Sequence, residues 1–177
     1  MARYTEGQER LLKLQTKKLS DEEKQMLNRA LLPRSVYLPE TGEECEALAL
    51  SWLGEEKYEK MNAFLRELQG KYAGVELAWS RGSLRWGMYR SVRCGSRSFC
   101  RFGIGYRRLE LILSFGAQEC GMFERDRRLY PKDTVQWTYD FFVPQRGLRT
   151  MVFDVNETME PYLWKLLSYK QASEKRG

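Results

Sequence analysis

Histidine is absent from the 177 residues. Its absence removes the side chain whose ordinary pKa lies nearest neutrality, and with it every Ser-His or Cys-His nucleophile pair. Hydrolase chemistry of the usual kinds is disfavoured, and the reading leans away from an enzyme. Cysteine is sparse, and Cys45, Cys94, Cys100 and Cys120 contain no CxxC pair. A zinc site would have to gather four scattered thiolates, so no metal is expected. Gly103-Ile104-Gly105 lacks the strand-turn-helix setting of a dinucleotide loop, and no cofactor is expected. No apolar run approaches the roughly 20 residues of a membrane helix. Mean hydropathy is −0.61 with 31% charged residues, so no membrane partner is expected. Residues 1–15 carry scattered charge without the apolar stretch of a secretion signal; a cytoplasmic protein with free thiols is the expectation.

Acidic residues and lysine are missing from one stretch, residues 77–109, which holds Arg81, Arg85, Arg90, Arg93, Arg97, Arg101, Arg107 and Arg108. Trp79, Trp86, Tyr89, Phe99, Phe102 and Tyr106 are interleaved with them. Residues 36–76 have the opposite bias, with nine acidic and four basic side chains. The net charge of +6 is therefore concentrated in the middle of the chain. Polyanions would be drawn to one surface if these arginines share a face.

Hydrophobic periodicity divides the chain into a basic arm with a short helix at 1–35, one α+β domain at 36–170, and a polar tail at 171–177. Ser20-Asp21-Glu22-Glu23 has the form of a capping box for a short helix that ends before Pro33. Thr41 is placed to cap a second helix burying Cys45, Leu48, Ala49, Trp52 and Leu53. A third pattern buries Tyr58, Met61, Phe64, Leu65 and Leu68. Whether Gly54 separates these two helices is left open, since a helical glycine costs only about 1 kcal/mol.

From Val75 the period changes from 3.6 to 2. Short turns join the runs up to Phe115, which predicts an antiparallel meander within a sheet of about five strands with helices packed on one face, preceded by the N-terminal helices and closed by one C-terminal helix. Leu84, Trp86, Met88, Cys100, Phe102 and Ile104 form the inward phase. The outward phase is expected to carry Arg85, Tyr89, Arg93, Arg97, Phe99, Arg101 and Arg108. After Gly116 a helical stretch reaches Tyr130. Asp133 to Phe142 is ambiguous between helix and strand, its aromatics need burial, and it is expected to lie across the sheet or its edge, partly covering the arginine face. Gln145-Arg146-Gly147 reads as a turn before a fifth strand, and Asn156 as the cap of a closing helix burying Met159, Leu163 or Tyr162, and Leu166.

Several segments carry a family resemblance. They are Lys71-Tyr72 at a helix end, Trp86-Gly87-Met88-Tyr89-Arg90, Ser98-Phe99-Cys100, Leu111-Ile112-Leu113-Ser114-Phe115-Gly116, and Thr150-Met151-Val152-Phe153-Asp154-Val155 before a helix reaching Lys170. Over about residues 52–170 the chain resembles the small, mostly bacterial single-domain family numbered 3788 among domains of unknown function. The resemblance implies an α+β fold and supplies no activity, cofactor or catalytic residue.

Three functional expectations follow from the residues. The first is a binding module whose Arg/aromatic sheet face takes an anionic small molecule or an acidic protein surface. Guanidinium groups grip carboxylate and phosphate bidentately and stack on rings, which lysine does poorly. A solvated sheet face would look the same in sequence. The second is nucleic-acid binding, in which the aromatics stack bases and the basic arm assists. The third is a reactive thiol at Cys94, read as a turn residue beside Arg93 and Arg97 that would favour thiolate.

Overall fold

The structure is a computed structural model that describes residues 39–82 and 86–174. The helix expected after Ser20, together with Leu84 and Arg85, lies outside the described residues. Helix α1 (Gly42–Lys71) begins at Thr41, whose hydroxyl accepts the Glu44 N–H at 3.2 Å while the Glu44 carboxylate accepts the Thr41 N–H at 3.2 Å. Two otherwise orphaned backbone donors are thereby satisfied. Gly54 settles the open question: at φ 75° and ψ 165° it breaks α1 into two segments. The break frees the Trp52 carbonyl, which accepts the Arg107 N–H at 2.8 Å, and Lys57 Nζ donates to the Arg107 carbonyl at 2.5 Å. Both segments bury one stripe, Cys45, Ala49, Trp52 and Leu53 in the first and Met61, Phe64, Leu65 and Leu68 in the second.

Five antiparallel strands follow, with spatial order equal to chain order: β1 (Val75–Arg81), β2 (Met88–Cys94), β3 (Arg97–Gly105), β4 (Arg108–Phe115) and β5 (Arg149–Asp154). The class is α+β, as the periodicity predicts. Met88, Val92, Phe102, Ile104, Leu111, Leu113, Met151 and Phe153 point to one side and join a core with α1 and the later helices. Those helices are α2 (Ala117–Asp126), α3 (Trp137–Phe141) and α4 (Glu160–Glu174). Asn156 Oδ1 accepts the Met159 N–H at 2.9 Å ahead of α4, and Met159, Leu163 and Leu166 are buried. Trp164 stacks on Phe64 at 4.2 Å, which fixes α4 against α1. Tyr130 donates to the Tyr169 hydroxyl at 2.7 Å, and Tyr169 donates to Asp126 at 2.9 Å, which ties α4 to α2 and the turn after it. Among the described residues no helix is long and apolar enough to cross a membrane.

Two expectations are corrected here. Trp86 does not share the inward phase of Met88, because Gly87 bends the chain just before β2 begins and the indole packs on the opposite face of the sheet. A Cβ on Gly87 would fall 2.2 Å from the Trp52 ring, so only glycine fits there. The stretch is helical from Val135 to Phe141, and the ring and hydrogen-bond partners of Val135 to Phe142 include Phe123, Arg127 and Arg149, all outside residues 77–109. It packs at the edge strand β5, one of the two expected placements, and does not cover the arginines. Its aromatics are not all buried: Tyr139 stacks on Phe123 at 4.0 Å, but Trp137 and Phe141 stack on each other while 56% and 61% exposed.

Candidate anion-binding cleft

A single irregularity in β3 decides where its arginines go. Val92 pairs with Cys100 and Arg93 with Ser98, so Phe99 has no partner on β2. One extra residue reverses the alternation beyond it, because side chains on a strand have a period of two. Phe99 turns inward, 3% exposed, with its ring 4.8 Å from Tyr72. Arg97 then pairs with Cys94 and takes the helix-side phase, whereas Arg101 keeps the outer phase with its guanidinium 4.9 Å from the Tyr89 ring.

The bulge also ends the ladder with β4. Pairing runs from Gly105↔Arg108 to Arg101↔Ile112 and stops, while Leu113 to Phe115 continue to pair with β5. Continued register would set Ser114 opposite Phe99. In place of a strand partner, the Ser114 carbonyl accepts a hydrogen bond from Lys170 Nζ of α4. A carbonyl that loses its ladder partner needs such a donor or water.

The parted strands, the first turn of α2 and Lys170 enclose a cleft of about 650 Å³. Its polar lining is Arg97, Ser98, Arg101, Ser114, Gln118, Glu119 and Lys170, and its apolar lining includes Phe99, Ile112 and Leu148. Glu119 accepts the Gly116 N–H at 2.9 Å, so its carboxylate caps its own helix. Burial holds the Lys170 amine below its usual pKa, a tendency that Glu119 opposes and Arg97 reinforces. Burial pushes the Cys100 thiol well above its ordinary range, which leaves it a poor nucleophile. What the cleft offers is positive charge and hydrogen-bond donors of both fixed and flexible kinds.

The seven residues expected on one face therefore separate. Arg97, Phe99 and Arg101 line the cleft, and Tyr89 lies against Arg101. Arg93 folds back on its hairpin, Nη2 donating to the Ser96 carbonyl at 3.3 Å. Arg108 is exposed at the far end of β4, opposite Gly105, and Arg85 is outside the described residues. The outer face is mixed in charge, since the register puts Glu76, Glu110 and Asp154 on it. Trp86 lies over Gly103, where a Cβ would fall 2.5 Å from the indole, and its Nε1 donates to Glu110 at 2.5 Å. Glu110 is only 5% exposed although it faces away from the helices.

Arg90 belongs to the helix side, paired with Trp79 across the sheet. Its guanidinium lies 4.5 Å from the Trp79 ring, and Nη2 is 3.3 Å from Glu46, which also accepts the Tyr58 hydroxyl at 2.5 Å. The acidic first helix thus neutralises one of the block's arginines internally. Cys94 is not a turn residue. It ends β2, buried, with Sγ 3.5 Å from the Ala73 carbonyl, and Gly95-Ser96 make the turn. Burial removes the exposed, cation-flanked setting that a reactive thiol needs.

Lys170, Ser114, Gln118, Ile112 and Leu148 escape a search confined to the arginine block. Lys170 had a signal of its own: it continues the stripe of Leu163 and Leu166 at helical spacing, a cation on a buried face. Among the described residues no group of three or more cysteines and carboxylates is placed to hold a metal ion. No family model matches the chain, and comparison with curated proteins and with solved structures likewise gave no match.

Proposed function

We propose that this protein is a binding module that takes an anionic ligand, a small carboxylate or phosphate or an acidic side chain of a protein partner, in the cleft between β3 and β4. One observation carries the reading: Arg97 and Arg101, which the β3 bulge sets in opposite phases of one strand, both line a single cavity that Lys170 also lines. Three cations face one helix-capping carboxylate there, and no Ser-His or Cys-His pair exists in the chain to support covalent catalysis. The four free thiols fit a cytoplasmic setting, and the motifs from Lys71 to Lys170 support kinship with family 3788 without adding an activity.

Nucleic-acid binding is the weaker reading. The aromatics it would use are already engaged, Tyr89 under Arg101 and Trp86 between Gly103 and Glu110. Carboxylates share the face as well.

Thermal shift and calorimetry with phosphate, succinate, citrate and a short acidic peptide test the proposal. A ligand at ten times its Kd should raise Tm by roughly 3–6 °C through mass action. The double variant Arg97→Gln/Arg101→Gln should abolish the rise. If no anion shifts Tm, or the double variant responds like the parent, the reading fails. Oligonucleotide binding that weakens steeply between about 50 and 200 mM salt would favour the alternative.

A further inference from the structure

Ile112 is out of place on the outer face of the sheet. Its phase is that of Arg101 and Ser114, yet it is 3% exposed and lines the cleft. Leu148, which also lines the cleft, is 49% exposed although large and apolar. These two side chains lie along the cavity that also holds Arg97, Arg101 and Lys170, and Phe99 contributes to its wall. A site for a bare inorganic anion would have polar walls on every side and little volume. This one has about 650 Å³, within the range of pockets that take small organic molecules.

We infer that the ligand is an amphiphilic anion: one carboxylate or phosphate held by Arg97 and Arg101, attached to an apolar body of a few carbons that runs past Ile112 and covers Leu148. The inference rests on the anion-binding reading and adds the second half of the ligand. Its physical content is that the head group supplies charge-assisted hydrogen bonds while the body packs along Ile112 and removes Leu148 from water. Specificity then lies in the distance between charge and apolar body, which neither half sets alone.

Calorimetry with the series acetate, butyrate, hexanoate and octanoate, and with phosphate against hexyl phosphate, tests this on the full chain. Each methylene that is fully buried tightens Kd by about fourfold, and partial cover should still make hexanoate at least about tenfold tighter than acetate. Leu148→Ser should weaken hexanoate and octanoate several-fold and leave phosphate and acetate unchanged. Arg101→Gln should weaken every member of the series. Because Leu148 is half exposed, its variant should fold, and circular dichroism checks that it does. If acetate and phosphate bind but lengthening the chain adds nothing, or if Leu148→Ser weakens phosphate as much as hexanoate, the amphiphile inference is overturned while the anion reading stands. If no member of the series and no other anion binds, both fail. The carboxylate and phosphate arms show which head group is preferred.

Discussion

The two halves of β3 solve the same packing problem in opposite ways. Near Gly105 the strand is paired on both sides, and its one gap, the bare backbone of Gly103, is covered by Trp86 with Glu110 as the hydrogen-bond acceptor. Near Arg97 the bulge removes pairing with β4, and Lys170 reaches across the space from α4. One half is covered by a rigid ring, the other by a flexible chain ending in a charge. A cavity persists only where the bridge is flexible. Arginine density is similar along the strand and its neighbours, so charge alone does not locate a site; failure of pairing does.

The largest effect should come from breaking the covered half. Gly103→Val forces a side chain into the indole position, displaces Trp86 and leaves the buried Glu110 without that donor. Overpacking and a lost charge-assisted bond together should cost about 2–4 kcal/mol, read by urea unfolding. Tryptophan emission should shift to the red. A variant as stable as the parent would show that Trp86 covers nothing of consequence.

Tyr169→Phe tests the anchor that holds α4, and therefore Lys170, at the open half. Loss of the bonds to Tyr130 and Asp126 should cost about 1–2 kcal/mol near neutral pH. Burial, with the hydrogen bond to Asp126, pushes the Tyr169 phenol up to about 12. A phenol whose pKa is higher in the folded state than in the unfolded state favours folding below about pH 10, and that contribution disappears as pH rises through the folded value. The stability gap between parent and variant should therefore be constant from pH 6 to 9 and decline from about pH 10 to 12. A gap that grows with alkalinity would contradict the assigned network.

Lys170→Met removes the bridge itself. The Ser114 carbonyl sits in an open cleft where water can replace the amine, so the loss should be only about 1 kcal/mol. Since burial holds the amine below its usual pKa, its protonated form favours the unfolded chain, and parent stability should gain relative to the variant as pH rises toward 10. Denaturation curves at pH 7 and pH 9.5 check the sign. The smallest effect belongs to Ser98→Ala, at the exposed rim, which should stay within about 0.5 kcal/mol of the parent. A larger loss would mean that this half is not open.

The strands, the meander of β1 to β4 and the inward phase of Met88, Cys100, Phe102 and Ile104 were legible because the period of two is imposed by backbone geometry and buried apolar side chains report it directly. Thr41, Asn156 and the Arg146-Gly147 turn were legible for a similar reason, being local chemistry with local consequences. The site was only half legible. The inversion of Arg97 and Phe99 depends on a bulge, and no residue type in Arg97-Ser98-Phe99-Cys100 demands one. Phe99 is drawn inward by Tyr72, a contact between residues 27 apart in sequence that no local pattern reveals. Trp86 misled because alternation was extended through Gly87, where the strand had not yet begun. Trp137 and Phe141 misled because size and apolarity were taken to require burial.

The tip of the β3–β4 hairpin carries a consequence for how the chain is assembled. Arg107 has φ 54°, a left-handed backbone that a non-glycine residue adopts at a cost of about 1 kcal/mol or more. Its N–H and its carbonyl are both gripped by α1, at Trp52 and Lys57, on the two sides of Gly54. The hairpin tip is thus a rivet through the one place where the helix is discontinuous. Helix order and hairpin order should therefore be coupled, and the two turns of helix flanking Gly54 should lose their hydrogen-exchange protection together with the amide of Arg107, not with the rest of α1.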